Sequence, residues 1–160
     1  EFIPKIYGGI SGEKEVLEIE YIPSFKTLSL LENLKIKRGE DMYTAKTSVG
    51  PHRDDLEFKI NGISAKNFGS QGQKRSIALA VKLSEAEVIK KKNGETPVIL
   101  LDDVMSELDS LRRDYILNSI GESQIFLTCC DKELFSGLSD GKVFIMEKGS
   151  LVQRELSQSD

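Results

Sequence analysis

Tryptophan is absent from this 160-residue sequence, histidine occurs once, cysteine twice and proline four times. These scarcities exclude several classes of protein. The two cysteines, Cys129 and Cys130, are adjacent, so a bridge between them would be badly strained, because strand neighbours point to opposite faces. A reducing, cytosolic setting is therefore expected. No second Cys or His pair lies at ligand spacing, which sets aside a structural zinc site. No apolar run approaches the ~20 residues of a membrane span, and the amino terminus has no secretory pattern. A formal net charge of −4 supplies no bulk attraction for nucleic acid, so any such contact must come from a local basic patch. One motif is also missing: no Gly-x-x-x-x-Gly-Lys-[Ser/Thr] phosphate loop occurs in these residues.

What is present suits a water-soluble globular chain, with 39% hydrophobic and 30% charged residues. Its organising stretch is Val98-Ile99-Leu100-Leu101-Asp102-Asp103. Four consecutive apolar residues, bounded upstream by Gly94 and Pro97, predict a short strand buried on both faces, as in a parallel sheet covered by helices. The strand ends in two acids, where open α/β sheets place their ligands. In nucleotide hydrolases the first acid of such a strand holds magnesium and a neighbour orients the attacking water. In isolation, an acidic turn capping the next helix is the simpler account of the pair.

The remaining pattern surrounds this strand. Val16 to Ile22 alternates partially and predicts a strand with one wet face, ended by Pro23. Ser24 is a candidate N-cap for a helix from Phe25 to Lys37, broken at Arg38-Gly39, with a further short helix over Glu40 to Lys46. Leu56 to Ile60 and Ile63 to Lys66 alternate about Asn61-Gly62, the signature of a hairpin with a two-residue type I′ turn. A long helix follows to Lys92 along a stripe of Ile77, Val81, Glu85 or Ala86, Val88 and Ile89, and Asn93-Gly94 stops it. Asp109 to Ile120 predicts a helix ending at Gly121, and Gln124 to Thr128 a second buried strand, which makes a right-handed βαβ unit. Lys142 to Met146 and Ser150 to Leu156 predict a closing hairpin, and Gln158-Ser159-Asp160 a frayed end.

Phe68-Gly69-Ser70-Gln71-Gly72-Gln73-Lys74-Arg75 opens the long helix. Small and amide residues before unpaired helix N–H groups and a positive dipole end can receive an anion, phosphate above all. The same residues can also serve only as a flexible turn with Ser70 as N-cap.

Taken together, three motifs carry a resemblance. They are Thr47-Ser48-Val49-Gly50-Pro51-His52-Arg53-Asp54-Asp55-Leu56, the Phe68 to Arg75 stretch, and Leu100-Leu101-Asp102-Asp103-Val104-Met105-Ser106-Glu107-Leu108-Asp109. The helix start, the acid-tipped strand with Ser106-Glu107-Leu108-Asp109, and a strand ending Thr128-Cys129-Cys130-Asp131 resemble, in this order, the second half of an ABC-type ATPase head, and the three motifs more closely resemble the carboxy-terminal part of the RecF family. This family comprises bacterial recombination and gap-repair ATPases related to the heads of SMC and Rad50 proteins. The resemblance is strongest from Thr47 to Asp131.

The resemblance implies an α/β fold: the carboxy-terminal lobe of an ABC-type ATPase head over 47–160, an incomplete P-loop NTPase fold. Residues 1–46 would be the returning end of a helical arm. The chain starts at Glu1 without a methionine and reads as a fragment or a processed product. Ser70, Gln71, Gly72 and Gln73 take the signature-motif position, which reaches across a dimer to the γ-phosphate of ATP held by the partner, with Lys74 or Arg75 adding charge. Asp102 takes the position of the Walker B acid that serves Mg. Asp103 stands where many relatives have the glutamate that polarises water, one methylene shorter. Ser106 to Asp109 corresponds to the D-loop. Cys130 falls at the switch position, where many relatives carry histidine, and Asp131 fits their pattern.

The full protein is then expected to be a slow ATPase acting in DNA repair, recombination, replication restart and the SOS response. It would form a homodimer around ATP on DNA at single-strand gap junctions, with a RecR-type mediator as partner and a cytoplasmic location. Without a phosphate loop, these residues alone should neither bind ATP tightly nor hydrolyse it. The rival readings are a head lobe of an SMC, Rad50 or phage-defence ATPase, and a non-catalytic interaction module. The front segment shows no sustained heptads of the SMC or Rad50 coiled coil.

His52 beside two acids can be a proton carrier or metal ligand, although a structural hydrogen-bonding role is the more common one. The basic runs Lys90-Lys91-Lys92, Arg112-Arg113 and Lys35, Lys37, Arg38 read as solvated faces, the first offsetting a helix dipole.

Overall fold

The computed structural model describes residues 1–119, 123–130 and 141–155. They divide into two compact units, one formed by Glu1–Lys14 with Arg75–Asp160 and the other by Glu15–Lys74.

The Glu15–Lys74 unit is built on an antiparallel sheet. Strand β1 (Leu17–Ile22) pairs with β2 (Asp55–Ile60), Leu17 facing Ile60 and Ile22 facing Asp55. Strand β3 (Ile63–Ser64) pairs with the end of β2 across a two-residue loop, Ile60 facing Ile63. Asn61 and Gly62 both have positive φ, 49° and 79°. This is the left-handed pair that a type I′ turn requires, as the sequence predicts. The second strand is shorter than expected, because Ala65–Phe68 coils into a single helical turn, α3.

Helix α2 runs without a break from Leu30 to Thr44. Both predicted ends of the first helix are therefore corrected. Ser29 is the N-cap: its hydroxyl accepts from the amide of Glu32 while the Glu32 carboxylate accepts from the amide of Ser29, a reciprocal capping box. Ser24 is engaged elsewhere, its amide donating to Asp54 Oδ1 at 2.7 Å and its hydroxyl accepting from the amide of Gly50 at 3.0 Å. Gly39 lies inside the helix, where its cost of about 1 kcal/mol relative to alanine is carried by the surrounding turns.

The other unit begins with helix α1 (Phe2–Ser11), which the sequence does not announce. It ends at Gly12, left-handed at φ 66°, and the amides of Gly12 and Glu13 close back on the carbonyls of Gly9 and Gly8, a helix-terminating arrangement suited to glycine. Helix α4 (Gln71–Asn93) stops at Gly94, left-handed at φ 77°, as predicted. Its buried face is Ser76, Ile77, Leu79, Ala80, Leu83 and Ser84. The predicted stripe is therefore rotated, and Val88 and Ile89 are exposed.

Strand β4 (Ile99–Asp102), helix α5 (Ser110–Ser119) and strand β5 (Ile125–Thr128) form the expected βαβ unit, with β4 and β5 parallel and Asp102 opposite Thr128. The expectation of burial on both faces is corrected: Leu101 is 6% exposed, whereas Leu100 is 74% and Phe126 55% exposed. Tyr7, Ile10, Met105 and Ile116 provide the largest fully buried apolar side chains of this unit, so the core lies on the Leu101 side of the strand. Strands β6 (Lys142–Glu147) and β7 (Ser150–Glu155) close a hairpin about Lys148-Gly149, both at positive φ. The predicted helix end at Gly121, the position Asp131 and the tail Gln158-Ser159-Asp160 lie outside the described residues.

Candidate functional site

The carboxyl end of β4 delivers Asp102, and Thr128 ends the neighbouring strand in register with it. The hydroxyl of Thr128 donates to Asp102 Oδ1 at 2.5 Å. Both side chains are exposed, and the bond is the short, charge-assisted kind that a carboxylate makes. Immediately beyond, the chain turns at Asp103, whose φ of 50° is left-handed. Aspartate tolerates this region better than longer side chains, because its short polar group can bond locally. The amide of Asp103 donates to the hydroxyl of Thr128 at 3.0 Å and to its carbonyl at 3.2 Å. Its carbonyl accepts from Ser106 Oγ at 3.0 Å. Asp103 is thus held on one side by Thr128 of the neighbouring strand and on the other by Ser106.

The residues expected to form the D-loop follow as a 3-10 turn, Met105–Glu107, anchored by a fully buried Met105 and by Leu108 at 7% exposure. Asp109 precedes α5 and caps it, its carboxylate accepting from the amide of Arg112 at 3.0 Å and also pairing with the Arg112 guanidinium. An acid here also opposes the positive end of the helix dipole. An open groove of about 720 Å3 runs between α4 and β4, lined among others by Arg75, Lys82, Leu101, Asp102 and Asp103. The acids therefore border a cavity that carries cationic side chains.

In the Glu15–Lys74 unit, Ser70 caps α4 through a second reciprocal box. The amide of Ser70 donates to Gln73 Oε1 at 2.8 Å, and the amide of Gln73 donates to Ser70 Oγ at 3.2 Å. Gln73 Nε2 in turn donates to Glu15 Oε1 at 2.7 Å. The hydroxyl oxygen of Ser70 acts as an acceptor here, which leaves its proton for an outside acceptor. Gln71 and Gly72 form the first turn behind it.

His52 and Arg53 occupy a 3-10 turn, Pro51–Arg53, and both contact the carbonyl of Thr47, His52 Nε2 at 3.2 Å and Arg53 Nε at 2.8 Å. His52 is thus in a structural hydrogen bond. The neighbouring Asp54 accepts from the Tyr21 hydroxyl and from the Ser24 amide, which together hold its carboxyl below the usual carboxylate range. Cys130 is exposed and Cys129 half-buried, and neither forms a disulfide among the described residues.

Among the described residues no cluster of three or more His, Cys, Asp or Glu could hold a metal. Asp102 offers a carboxylate with one oxygen engaged by Thr128. That fits magnesium, which is commonly held by one or two carboxylates with the rest of its shell from water and phosphates, and it does not fit a closed protein cage. The sequence motifs name the acids and the Ser70 to Gln73 stretch as candidates, but they assign no role to two residues that bond to them, Thr128 and Glu15. The signal for Thr128 is its position, a hydroxyl residue ending the strand parallel to the acid-tipped one.

No family model matches the chain. It is 42% identical over 153 residues to the DNA replication and repair protein RecF of Agathobacter rectalis, and 43% identical over 151 residues to that of Acetivibrio thermocellus. These alignments cover 94% and 88% of this chain but only 42% and 41% of the relatives, so the chain spans less than half their length. Among solved structures, the recombination mediator protein RecF-ATPrS of the RecFOR pathway superposes with a TM-score of 0.68 at 38% identity, over 95% of this chain and 42% of that one. An Smc head bound to the winged-helix domain of ScpA superposes with a TM-score of 0.56 at 17% identity, over 97% of this chain and 41% of that one. The α/β arrangement is accordingly that of an ABC-type ATPase head lobe. Helix, sheet and sequence agree, and the chain is homologous to the carboxy-terminal part of RecF proteins.

Proposed function

We propose that this chain is the carboxy-terminal lobe of a RecF-like, DNA-binding ATPase of recombinational repair, and that it supplies half of a composite nucleotide site. The observation that carries the reading is the acid pair at the tip of β4, clasped by Thr128 and Ser106 at the edge of a groove, in a chain homologous to RecF. Asp102 is the residue that would hold Mg, which when bound neutralises phosphate charge. Asp103 orients and deprotonates the attacking water. In the signature stretch Ser70, Gln71, Gly72 and Gln73, the Ser70 hydroxyl and the Gly72 backbone amide donate to the γ-phosphate of ATP held by a second copy, from a helix start whose dipole favours anions. Ser106 and Asp109 form the D-loop that couples the two sites, and Cys130 stands at the switch position, where a thiol replaces imidazole.

In this reading 1–46 is the returning end of an arm and 47–160 the lobe. The intact protein works in the cytoplasm as an ATP-linked homodimer on gapped DNA, with a RecR-type mediator, in recombination, replication restart and the SOS response. The test uses the intact protein. Asp103→Asn should preserve ATP-dependent dimerisation while hydrolysis stops, and turnover at the wild-type rate would remove Asp103 from the mechanism. Ser70→Arg should abolish dimerisation. The 160 residues alone, lacking a phosphate loop, should give no tight ATP binding by calorimetry, and micromolar affinity would contradict the composite site.

A further inference from the structure

One hydroxyl serves both acids of β4. Thr128 has a single proton and two lone pairs to offer. The proton goes to Asp102 Oδ1 at 2.5 Å, and the oxygen receives the Asp103 amide at 3.0 Å. Asp102 and Thr128 face each other in the parallel pair, so the hydroxyl reaches the carboxylate directly. It reaches the Asp103 amide because that N–H continues the β4–β5 pairing and points toward β5, donating also to the Thr128 carbonyl at 3.2 Å.

We propose that Thr128 is a positioning residue for the composite nucleotide site: its hydroxyl fixes which oxygen of Asp102 is free for a cation and where the chain turns to present Asp103. The inference rests on the reading of Asp102 and Asp103 given above, and it gives a role to Thr128, which the sequence places at a strand end without one. The chemistry is specific to a hydroxyl. With Oδ1 occupied, Oδ2 of Asp102 has no protein partner among the described residues, so it is the oxygen left for a cation or its water shell. A side chain that cannot donate leaves the carboxylate free to rotate, and a metal ligand freed from its supporting bond typically loses ten- to a hundredfold in affinity. The Asp103 amide keeps its second acceptor, the Thr128 carbonyl at 3.2 Å. Removal of the hydroxyl should therefore loosen the turn without abolishing it.

Three variants of the intact protein separate the possibilities. Thr128→Val keeps the β-branched shape that suits a strand and deletes only the hydroxyl. Thr128→Ser restores the hydroxyl without the methyl, and Asp102→Asn reports the acid itself. Each is measured for Mn2+ affinity by electron paramagnetic resonance with a non-hydrolysable ATP analogue, for the Mg2+ dependence of ATP hydrolysis, and for the urea midpoint. Thr128→Val should weaken Mn2+ at least tenfold and raise the Mg2+ concentration for half-maximal hydrolysis similarly, with a near-wild-type urea midpoint. Thr128→Ser should return both to within about threefold of wild type. Wild-type Mn2+ affinity in Thr128→Val, with Asp102→Asn defective, would overturn the role of Thr128 alone. Equal loss in the Val and Ser variants would assign the effect to packing and overturn it too. Wild-type metal affinity in Asp102→Asn would bring down the reading of the acid pair and this inference with it.

Discussion

Ser70 and Gln73 hold each other at the start of α4, each amide donating to the other's side chain, at 2.8 and 3.2 Å. The Ser70 oxygen thus serves the helix, while its proton remains available to an acceptor outside it. The two roles predict different losses. Ser70→Ala should cost about 1 kcal/mol of stability, the usual loss of a serine cap, and should also reduce ATP-dependent dimerisation of the intact protein. Gln73→Ala removes the reciprocal bond and the link to Glu15, but leaves the Ser70 hydroxyl. It should cost similar stability and less dimerisation. Urea midpoints and sedimentation with ATP measure the two effects separately, and equal dimerisation losses in both variants would reduce Ser70 to a cap.

The backbone at Asp103 favours a short acid. Its φ of 50° lies in the left-handed region, which aspartate and asparagine enter more readily than glutamate. Asp103→Asn should therefore keep the fold intact, so that lost hydrolysis reports chemistry. Asp103→Glu should lower stability by about 1 kcal/mol without raising turnover. A stable, faster Asp103→Glu variant would show that the backbone does not dictate the choice.

The same residue marks the limit of what could be read in advance. Local chemistry was legible where one pattern has one outcome. Asn61-Gly62 made the hairpin, Gly94 stopped α4, and two apolar runs separated by one helix paired in parallel. Patterns with two outcomes were misread. Ser24 and Ser29 both suit an N-cap, and the Glu32 three residues after Ser29 decided for the capping box, while Asp54 occupied the amide of Ser24. Helix α1 was invisible because Gly8 and Gly9 oppose helix propensity, and what favours Gly9 is a side chain over a hundred positions away. At the site, the motifs gave the acids and the signature stretch. The partnership of Thr128 with both acids depended on strand register, which no local pattern encodes.

That distant side chain is Tyr115. A Cβ placed on Gly9 would lie 2.1 Å from its ring, so the ring packs on the Gly9 backbone and would have to move to admit any side chain there. Gly9→Ala should lower stability by about 1–3 kcal/mol, the range for overpacking a fitted contact. Tyr115→Ala in the same chain should recover part of that loss, because it removes the obstructing atoms. The double-mutant cycle is read from urea unfolding, and additive losses would mean that the two residues do not meet.

Tyr21 and Asp54 give a pH signature. The Tyr21 hydroxyl, then the Ser24 amide, hold the carboxyl of Asp54 below 3.8, and the same bond raises the phenol of Tyr21 above its usual 10.0. A carboxyl lowered in the folded chain contributes stability that is complete above the unfolded value of about 3.9 and disappears as pH falls through the lower folded value. The phenol's contribution is complete below about pH 10 and disappears as pH rises through its raised value. Across the neutral range the bond therefore makes stability flat with respect to pH. Asp54→Asn and Tyr21→Phe should each reduce the urea midpoint at pH 7, and each should reduce the fall in midpoint between pH 5 and pH 3 relative to wild type. Both side chains are largely open to water, so the effect should be modest, and the double variant should differ little from either single one. If both single variants followed the wild-type acid limb, the carboxyl of Asp54 would contribute nothing to it, whereas a flattened limb in Asp54→Asn alone would assign the effect to the Ser24 amide bond.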